Sequence, residues 1–254
     1  MNTPKSSGDR SALDRAPETV EATEAERVVA RYGRRDAHRR GLLYDPLLPS
    51  VYMARQERER ALIRWINSCG ISPVDKKIVI EIGCGAGSNL LTLMQLGFSP
   101  QNLTANELLP ERASEARLRL PACIPILQGD ASECDLPNAS FDVVVQSTVF
   151  SSLLDDGFQR KVASRMWDLA RPGGGILWYD FVYNNPRNPD VRGVPPGRIR
   201  ELFPQAEITA WRVTLAPPIS RRVTGLSPTL YSLINILPFM RTHLLCWIRK
   251  SPNE

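Results

Sequence analysis

Apolar and polar positions along this chain alternate between two patterns, one typical of strands and one typical of helices. Short apolar runs rich in β-branched residues predict strands at residues 78–82, 103–105, 124–127, 141–146, 176–181, 206–215 and 243–249. Helical spacing of apolar positions predicts helices at residues 20–32, 51–69, 88–96, 110–120, 156–170, 199–203 and 227–237. Strands that alternate with helices indicate an α/β fold, with a mostly parallel sheet and crossover helices on both faces.

The two ends of the chain differ from its middle. The chain has 254 residues, which fits one α/β domain with extensions. Residues 1–18 are polar and have almost nothing to bury, so disorder is predicted there. We predict that residues 1–43 are a basic arm with one helix and that residues 44–250 are one domain. The helix at 51–69 is expected to cover the loop that follows the first strand.

Three glycines at alternate positions join the first predicted strand to the next helix. The segment reads Glu81-Ile82-Gly83-Cys84-Gly85-Ala86-Gly87, and the helix begins at Ser88. Glycine accepts backbone angles that other residues avoid and lets a ligand approach the main chain, while the start of a helix offers unpaired N–H groups. The segment therefore predicts a ligand site, although a turn that serves only packing would also use glycine.

This segment resembles the first motif of the class I S-adenosylmethionine-dependent methyltransferases, in which an acid precedes three alternating glycines. Two later acids fit the same family. Glu107 ends the second predicted strand, where the family binds both ribose hydroxyls, and Asp130 lies in a Gly-Asp-Ala turn, where the family binds the adenine amino group. A carboxylate suits the ribose because it offers two acceptor oxygens. The resemblance covers about residues 44–250.

The resemblance implies a fold and a cofactor. The fold is a Rossmann-like, seven-stranded, mostly parallel sheet in which strand seven inserts antiparallel between strands five and six. The cofactor is S-adenosyl-L-methionine, with the glycine loop around its amino-acid portion and Glu81 directed towards its ammonium group. The residues expected at the cofactor are Glu81, Gly83, Cys84, Gly85, Gly87, Asn106, Glu107, Leu108, Gly129, Asp130, Ala131, Gln146 and Ser147.

The methyl acceptor is expected beyond the ends of strands four and five, since open α/β sheets bind ligands at the carboxyl ends of their strands. Asp180 is the predicted general base for a hydroxyl or a protonated amine, and Tyr179 and Tyr183 are expected to orient the acceptor. The alternative is that Asp180 caps the following turn. Further predicted substrate contacts are Tyr52, Gln56, Phe150, Asn184, Asn185 and Arg187, of which the asparagines are also ordinary turn formers.

The predicted function is methyl transfer to a hydroxyl or amine of a small molecule or sugar, in natural-product or glycan biosynthesis. A nucleic-acid amino-methyltransferase would be expected to carry Asp or Asn, two prolines and an aromatic residue after strand four. The chain instead reads Gln146-Ser147-Thr148-Val149 there, so no nucleic-acid partner is expected. Two alternatives stay open: a non-catalytic protein that binds the cofactor, and an enzyme with a lipid acceptor whose residues 226–240 contact a membrane surface.

Composition and net charge exclude few classes of function. The net charge of +5 is compatible with an acidic partner, but solvated surface charge is the simpler explanation. The five cysteines fit no metal or disulfide spacing, so no metal is expected, and free thiols favour a cytoplasmic location. We find no apolar signal segment and no run long enough to span a bilayer, and the sequence does not predict an oligomeric state.

Overall fold

The structure, a computed structural model, describes residues 22–36, 45–186 and 188–253. The strands in these ranges are β1 (Val79–Ile82), β2 (Leu103–Glu107), β3 (Ile126–Gln128), β4 (Phe141–Ser147), β5 (Ala170–Phe181), β6 (Glu207–Leu215) and β7 (Arg241–Arg249). The helices are α1 (Glu24–Asp36), α2 (Pro49–Ser68), α3 (Ser88–Gln95), α4 (Pro110–Arg119), α5 (Asp156–Leu169), α6 (Pro196–Leu202), α7 (Pro217–Leu226) and α8 (Pro228–Ile234).

All of these strands belong to one sheet with the order β3-β2-β1-β4-β5-β7-β6. The pairs from β3 to β5 are parallel, and β7 runs antiparallel between β5 and β6. The strand order reverses between β1 and β4, which is where an open α/β sheet binds its ligand. The predicted fold class is confirmed, including the insertion of the seventh strand.

Two apolar layers cover the sheet, one on each face. One layer packs α5 and α6 against the sheet around Trp178, and the other packs α2 to α4 around Trp65. Strand β4 is buried along six of its seven residues because both layers contact it. The sheet is therefore a fixed platform from whose carboxyl edge the loops project.

Helix α1 begins later than predicted because a capping box fixes its start. The Thr23 hydroxyl accepts the Glu26 N–H at 3.3 Å, and the Glu26 carboxylate accepts the Thr23 N–H at 2.8 Å. Val28 joins the apolar layer on the α5 face, so the helix of the predicted arm packs on the core. The disorder predicted for residues 1–18 lies outside the described residues, and the domain boundary at residue 43 stays a prediction.

The carboxyl-terminal third departs most from the predicted elements. Helix α7 was not predicted, because the residues that it buries are polar: Ser220 and Thr224. The helix predicted over 227–237 ends at Ile234 and is followed by a short turn of 3₁₀ helix at Pro238–Met240. Strand β5 includes the glycines that were predicted as a turn. At Gly175 the strand lies so close to β7 that a side chain would collide with the β7 backbone. Within the described ranges, no helix has the length and apolar character needed to cross a bilayer.

Candidate functional site

A cavity of about 240 Å³ lies at the carboxyl ends of β1, β2 and β4. The glycine loop forms its floor, the ends of β2 and β4 form its sides, and α1 covers it. The residues that line it are Val28, Tyr32, Ile82, Gly83, Cys84, Gly85, Asn89, Asn106, Glu107, Leu108, Leu109, Arg112, Asp130, Ala131, Ser147, Thr148, Val149, Ser152, Leu153, Phe158 and Val162.

The glycine loop needs glycine for two separate reasons. Gly83 has a φ of 65° and Gly87 a φ of 80°, both in the left-handed region that side chains disfavour. A Cβ atom at Gly83 would also lie 2.6 Å from Cγ2 of Val149, and one at Gly87 would lie 2.7 Å from Cδ1 of Leu120. The loop thus follows a path that only glycine allows, and this path leaves backbone groups exposed to the cavity.

The Glu107 carboxylate is buried and held by backbone donors. Its Oε2 accepts the Gly85 N–H at 2.6 Å and its Oε1 accepts the Leu109 N–H at 2.9 Å. Burial raises the pKa of Glu107, and the backbone N–H groups oppose that rise. The Leu108 N–H also binds this carboxylate, and because a carboxylate offers about four acceptor sites, the fixed group can still receive a ligand hydroxyl.

Glu81, at the end of β1, is a fully buried acid with an unused acceptor. Its Oε1 accepts the Asn89 amide at 2.5 Å, while its Oε2 has no hydrogen-bond partner. Burial raises the pKa of Glu81 to about 8, against the opposing influence of Asn89 and the nearby Arg58. A buried acceptor without a partner normally costs free energy, so this oxygen is suited to a cationic ligand group beside the glycine loop.

Helix α1 covers the cavity beside the turn that follows β4. Val28 and Tyr32 of this helix line the cavity, and the Arg112 guanidinium lies 4.4 Å from the centre of the Tyr32 ring. The expectation that α2 covers the loop was wrong: α2 packs against β6, α7 and α8, and none of its residues lines the cavity.

Buried polar contacts fix α1 in this position. Arg31 donates from Nη2 to Glu24 Oε1 at 2.5 Å and to the Ser152 carbonyl at 3.0 Å. Glu24 also accepts the Leu154 N–H at 3.0 Å, and the Tyr32 hydroxyl lies 3.0 Å from the Ser152 hydroxyl. The cover is therefore attached to the turn that follows β4.

The structure brings most of the predicted cofactor residues together at this cavity. Those that line it are Gly83, Cys84, Gly85, Asn106, Glu107, Leu108, Asp130, Ala131 and Ser147. The other four, Glu81, Gly87, Gly129 and Gln146, lie in or beside the loops that shape it. Gln146, for example, is buried and accepts the Val149 N–H at 3.1 Å.

Beside Ser147, the side chains of Tyr179, His243 and Arg58 form a wall that extends the site across the sheet. Tyr179 is the β5 neighbour of Ser147, its hydroxyl lies 2.8 Å from the Thr214 hydroxyl, and its ring stacks on His243 at 5.1 Å. The Arg58 guanidinium lies 5.4 Å from the Tyr179 ring centre. Burial raises the pKa of Tyr179 and lowers the pKa of His243 to about 4, so both groups are neutral at pH 7.

Arg58, Thr214 and His243 were not predicted as site residues. The one sequence feature that could have suggested them is their place at the carboxyl side of the predicted sheet, or on the helix that packs there. Nothing in the sequence pairs α2 with strands β6 and β7, so their convergence on Tyr179 could not be anticipated.

Asp180 lies on the opposite face of β5 from Tyr179, since successive strand residues point to opposite faces. Its Oδ2 accepts the Ser151 N–H at 3.0 Å and its Oδ1 accepts the Phe181 N–H at 2.9 Å. The side chain is buried, which raises its pKa to about 7. Asp180 does not line the cavity and holds the turn after β4.

The other predicted acceptor residues are dispersed. The Tyr183 hydroxyl accepts from Arg212 at 3.0 Å, and Asn184 Oδ1 accepts the Gly193 N–H at 2.9 Å. Phe150 is fully buried against Trp178. Tyr52, Gln56 and Asn185 do not line the cavity: Gln56 donates to the Tyr52 hydroxyl at 3.1 Å, and the Asn185 carbonyl accepts the Asn188 N–H at 3.0 Å. Arg187 lies outside the described residues.

Comparison with known proteins identifies the fold and the core of the chain. Residues 79–174 match a family described as a methyltransferase domain. Magnesium protoporphyrin IX methyltransferase from Synechocystis, solved with bound S-adenosylmethionine, matches with a TM-score of 0.62 and 13% identity over 91% of this chain and all of that one. An S-adenosylmethionine-dependent methyltransferase from Mesorhizobium loti matches with a TM-score of 0.55 and 15% identity, over 76% of this chain and all of that one. The chain therefore contains a methyltransferase domain match at residues 79–174 within a class I methyltransferase fold that extends to β7.

Similarity to curated proteins is confined to part of each chain. A tRNA N(3)-cytidine methyltransferase of Gallus gallus is 29% identical over 41% of this chain and 30% of its own length. An uncharacterized methyltransferase of Mycobacterium bovis is 31% identical over 46% of this chain and 56% of its own length. The chain thus spans between about a third and about half of the curated relatives it matches.

The cofactor of this class is S-adenosyl-L-methionine, and the site fits it. The loop excludes any side chain at Gly83, and the unused Glu81 oxygen matches a group that carries an ammonium. Glu107 suits the ribose and Asp130 the adenine. Within the described residues, no group of three or more His, Cys, Asp or Glu side chains is arranged to bind a metal ion.

Proposed function

We propose that this protein is an enzyme that methylates a hydroxyl or an amine of a small molecule or sugar, as part of natural-product or glycan biosynthesis. The observation that carries the proposal is the pairing of Ser147, which lines the cofactor cavity, with Tyr179 on the adjacent strand. This pairing joins the cofactor site to the wall formed by Arg58, Tyr179 and His243.

The chain would hold its cofactor through three acids. S-adenosylmethionine supplies an electrophilic methyl carbon bonded to a sulfonium. Glu81 and Asn89 bind the amino-acid end, Glu107 binds the ribose, and Asp130 binds the adenine. Because methyl transfer is an in-line displacement, the main contribution of these contacts is to fix the direction in which the methyl carbon faces.

The acceptor would bind against the Tyr179 ring. This ring is fixed on one side by His243 and by the Thr214 hydroxyl, and the Arg58 guanidinium lies over it. A hydroxyl and a guanidinium beside the cofactor cavity suit a small, polar acceptor more than a long polymer. Burial lowers the pKa of His243 to about 4, so this neutral imidazole, whose Nδ1 lies 3.1 Å from the Thr242 hydroxyl, supports the ring and is a weak base.

Asp180 acts, on this proposal, as a positioning residue and not as the general base predicted from the sequence. Support comes from its two backbone hydrogen bonds and from the face of β5 on which it lies. By holding Ser151, it fixes the turn whose next residue, Ser152, lines the cavity and attaches α1. Its effect on catalysis would therefore be indirect.

The test is to find the acceptor. The enzyme would be incubated with cofactor that carries a deuterated methyl group and with separate fractions of the source cell: polar metabolites, sugar nucleotides, lipids and small RNA. Mass spectrometry would then identify a product with one labelled methyl group. Label in the metabolite or sugar fraction supports the proposal, whereas label only in RNA would assign the acceptor class of the Gallus gallus relative instead.

Two variants distinguish the parts of the proposal. Tyr179→Phe removes one hydroxyl at the acceptor wall, so turnover should fall while binding of S-adenosylhomocysteine stays unchanged. Glu107→Ala should weaken that binding by about 2–4 kcal/mol through loss of two charge-assisted hydrogen bonds. Tight cofactor binding without product in any fraction would instead support a non-catalytic binding protein.

A further inference from the structure

Helices α7 and α8 and the turn after them, residues 235–240, expose several large apolar side chains, while α7 buries the polar Ser220 and Thr224. Among the large hydrophobic side chains of this segment, five are exposed: Leu226 (82%), Leu233 (61%), Ile236 (66%), Leu237 (41%) and Phe239 (69%). This is the reverse of the usual arrangement in a helix that packs on a water-soluble core. Exposed apolar side chains grouped in this way mark interaction surfaces.

The buried side of the two helices explains why they keep this orientation. The Tyr231 hydroxyl donates to Glu57 Oε2 of α2 at 2.7 Å, and the ring is fully buried. The Ser220 hydroxyl faces the Ser50 carbonyl at 3.5 Å, and Arg241 donates from Nε to the Asn235 carbonyl at 2.8 Å. Rotating either helix to bury its leucines would break these contacts, so the outward apolar face is built into the fold.

The charged residues within the segment that forms this face have one sign. Arg221 and Arg222 are exposed on α7, and the sequence from residue 208 to residue 253 contains no Asp or Glu. The same segment carries Arg212, Arg221, Arg222, Arg241, Arg249 and Lys250. Apolar side chains next to arginines, without acids among them, match the interface of a bilayer that contains anionic lipids.

We propose that the outer surface of α7, α8 and the turn at residues 235–240, with Leu226, Leu233, Ile236, Leu237 and Phe239 and the exposed Arg221 and Arg222, binds the surface of an anionic phospholipid bilayer. The helices lie on the surface and do not cross it. A second copy of the chain fits this face less well, because a two-fold interface would bury the arginines of both copies, and residues 208–253 supply no acid to pair with them. A nucleic acid would use the arginines but leave the apolar residues without a partner.

The surface adjoins the acceptor wall through one helix. Glu57, which accepts from Tyr231 of α8, precedes Arg58, whose guanidinium lies over Tyr179. A protein bound to a bilayer by this face would thus hold the α2 side of its site close to the lipid. The inference concerns binding alone and does not depend on which acceptor is methylated.

The test measures sedimentation of the full chain with sucrose-loaded vesicles of phosphatidylcholine, with and without phosphatidylglycerol. Binding is expected only with phosphatidylglycerol. Arg221→Gln with Arg222→Gln should weaken it by about 30-fold, from roughly 1 kcal/mol for each arginine near the surface. Leu233→Ser with Phe239→Ser should weaken it by about tenfold or more, because the apolar insertion is lost.

Matched controls separate this surface from general charge and exposure. Arg160→Gln with Lys161→Gln removes an adjacent pair of exposed cations from α5, and Leu118→Ser removes an exposed leucine from α4. Both should bind vesicles like the unaltered chain. The proposal is overturned if the unaltered chain does not sediment with anionic vesicles, if the α5 pair weakens binding equally, or if the apolar variant binds normally. It is also overturned if light scattering shows a dimer that Leu233→Ser with Phe239→Ser dissociates.

Discussion

Protonation of Glu81 should make cofactor binding depend on pH. Burial raises the pKa of Glu81 to about 8, so the acid is mainly neutral in the cofactor-free protein at pH 7. An ammonium group next to its unused Oε2 would favour the ionised form. Binding should therefore release about one proton from Glu81, and the affinity should rise with pH.

The size of the effect follows from the ionised fraction. With a pKa of about 8, roughly 1% of Glu81 is ionised at about pH 6 and roughly a quarter at about pH 7.5. If only the ionised acid binds the ammonium well, the affinity for S-adenosylhomocysteine should rise about 20-fold over this interval, which is about 1.8 kcal/mol. His243, with a pKa of about 4, does not titrate in this interval.

Calorimetric titration with S-adenosylhomocysteine in buffers of different ionisation enthalpy measures both the affinity and the released proton. Glu81→Gln provides the control, since it keeps the side-chain size and cannot ionise: its affinity should be lower at pH 7.5 and almost constant with pH. Burial also raises the pKa of Glu107, so the Glu81→Gln variant would still show any proton release that comes from Glu107. A constant affinity in the unaltered chain, or an equal proton release in Glu81→Gln, would refute the reasoning.

Three further outcomes are expected. Glu81 and Asp180 have folded-state pKa values of about 8 and about 7, above ordinary values of 4.5 and 3.8, so the folded state holds extra protons between those limits and stability should fall as pH rises through them, by up to about 1.4 kcal/mol per pH unit for each group. Thermal melting between pH 5 and pH 9 checks this, and Glu81→Gln should make the slope smaller. Arg31→Met should release α1 from the core by leaving Glu24 buried without its closest partner, at a cost of about 3–5 kcal/mol, whereas Arg27→Met, at the exposed partner 3.8 Å from Glu24, should change little; amide exchange over residues 24–36 distinguishes the two. Asp180→Asn should destabilise the fold by about 1–3 kcal/mol, because its amide NH₂ cannot accept a backbone N–H, and should preserve binding of S-adenosylhomocysteine; a stable variant with turnover reduced about 100-fold would restore Asp180 as the base.

The glycine loop and the sheet could be predicted because their signals are local. A β-branched strand, three glycines and a helix start within 13 residues require a particular backbone path, and the acids at 107 and 130 end neighbouring strands of the same edge. Parallel strands with short connections allow few topologies, so the order of the strands in the sheet could be predicted. The same logic placed Ser147 at the cavity.

The cover of the cavity could not be predicted in the same way. Val28 and Tyr32 lie in the helix predicted over residues 20–32, but helical spacing does not reveal which surface a helix contacts. That choice depends on Arg31, whose partners Glu24 and Ser152 are 7 and 121 residues away. Helix α2 was the nearer candidate in sequence, and the buried Glu57, with its partner Tyr231 on α8, directs that helix to the other side of the sheet.

Two adjacent residues of strand β5 have different roles because their side chains point to opposite faces of the sheet. Tyr179 and Asp180 are adjacent, and each was predicted at the acceptor from its place at the strand end. Alternation sends them to opposite faces. On the Tyr179 face, α2 supplies Arg58 and β7 supplies His243, so a ring, a cation and an imidazole meet. On the Asp180 face, the Ser151 N–H of the turn at Phe150–Ser152 donates to Asp180 Oδ2, and the Phe181 N–H donates to Oδ1, so both carboxylate oxygens bind backbone. The carboxylate thus shapes the loop that holds α1 over the cavity, and the Tyr179 face is the one to which the proposed function assigns the acceptor.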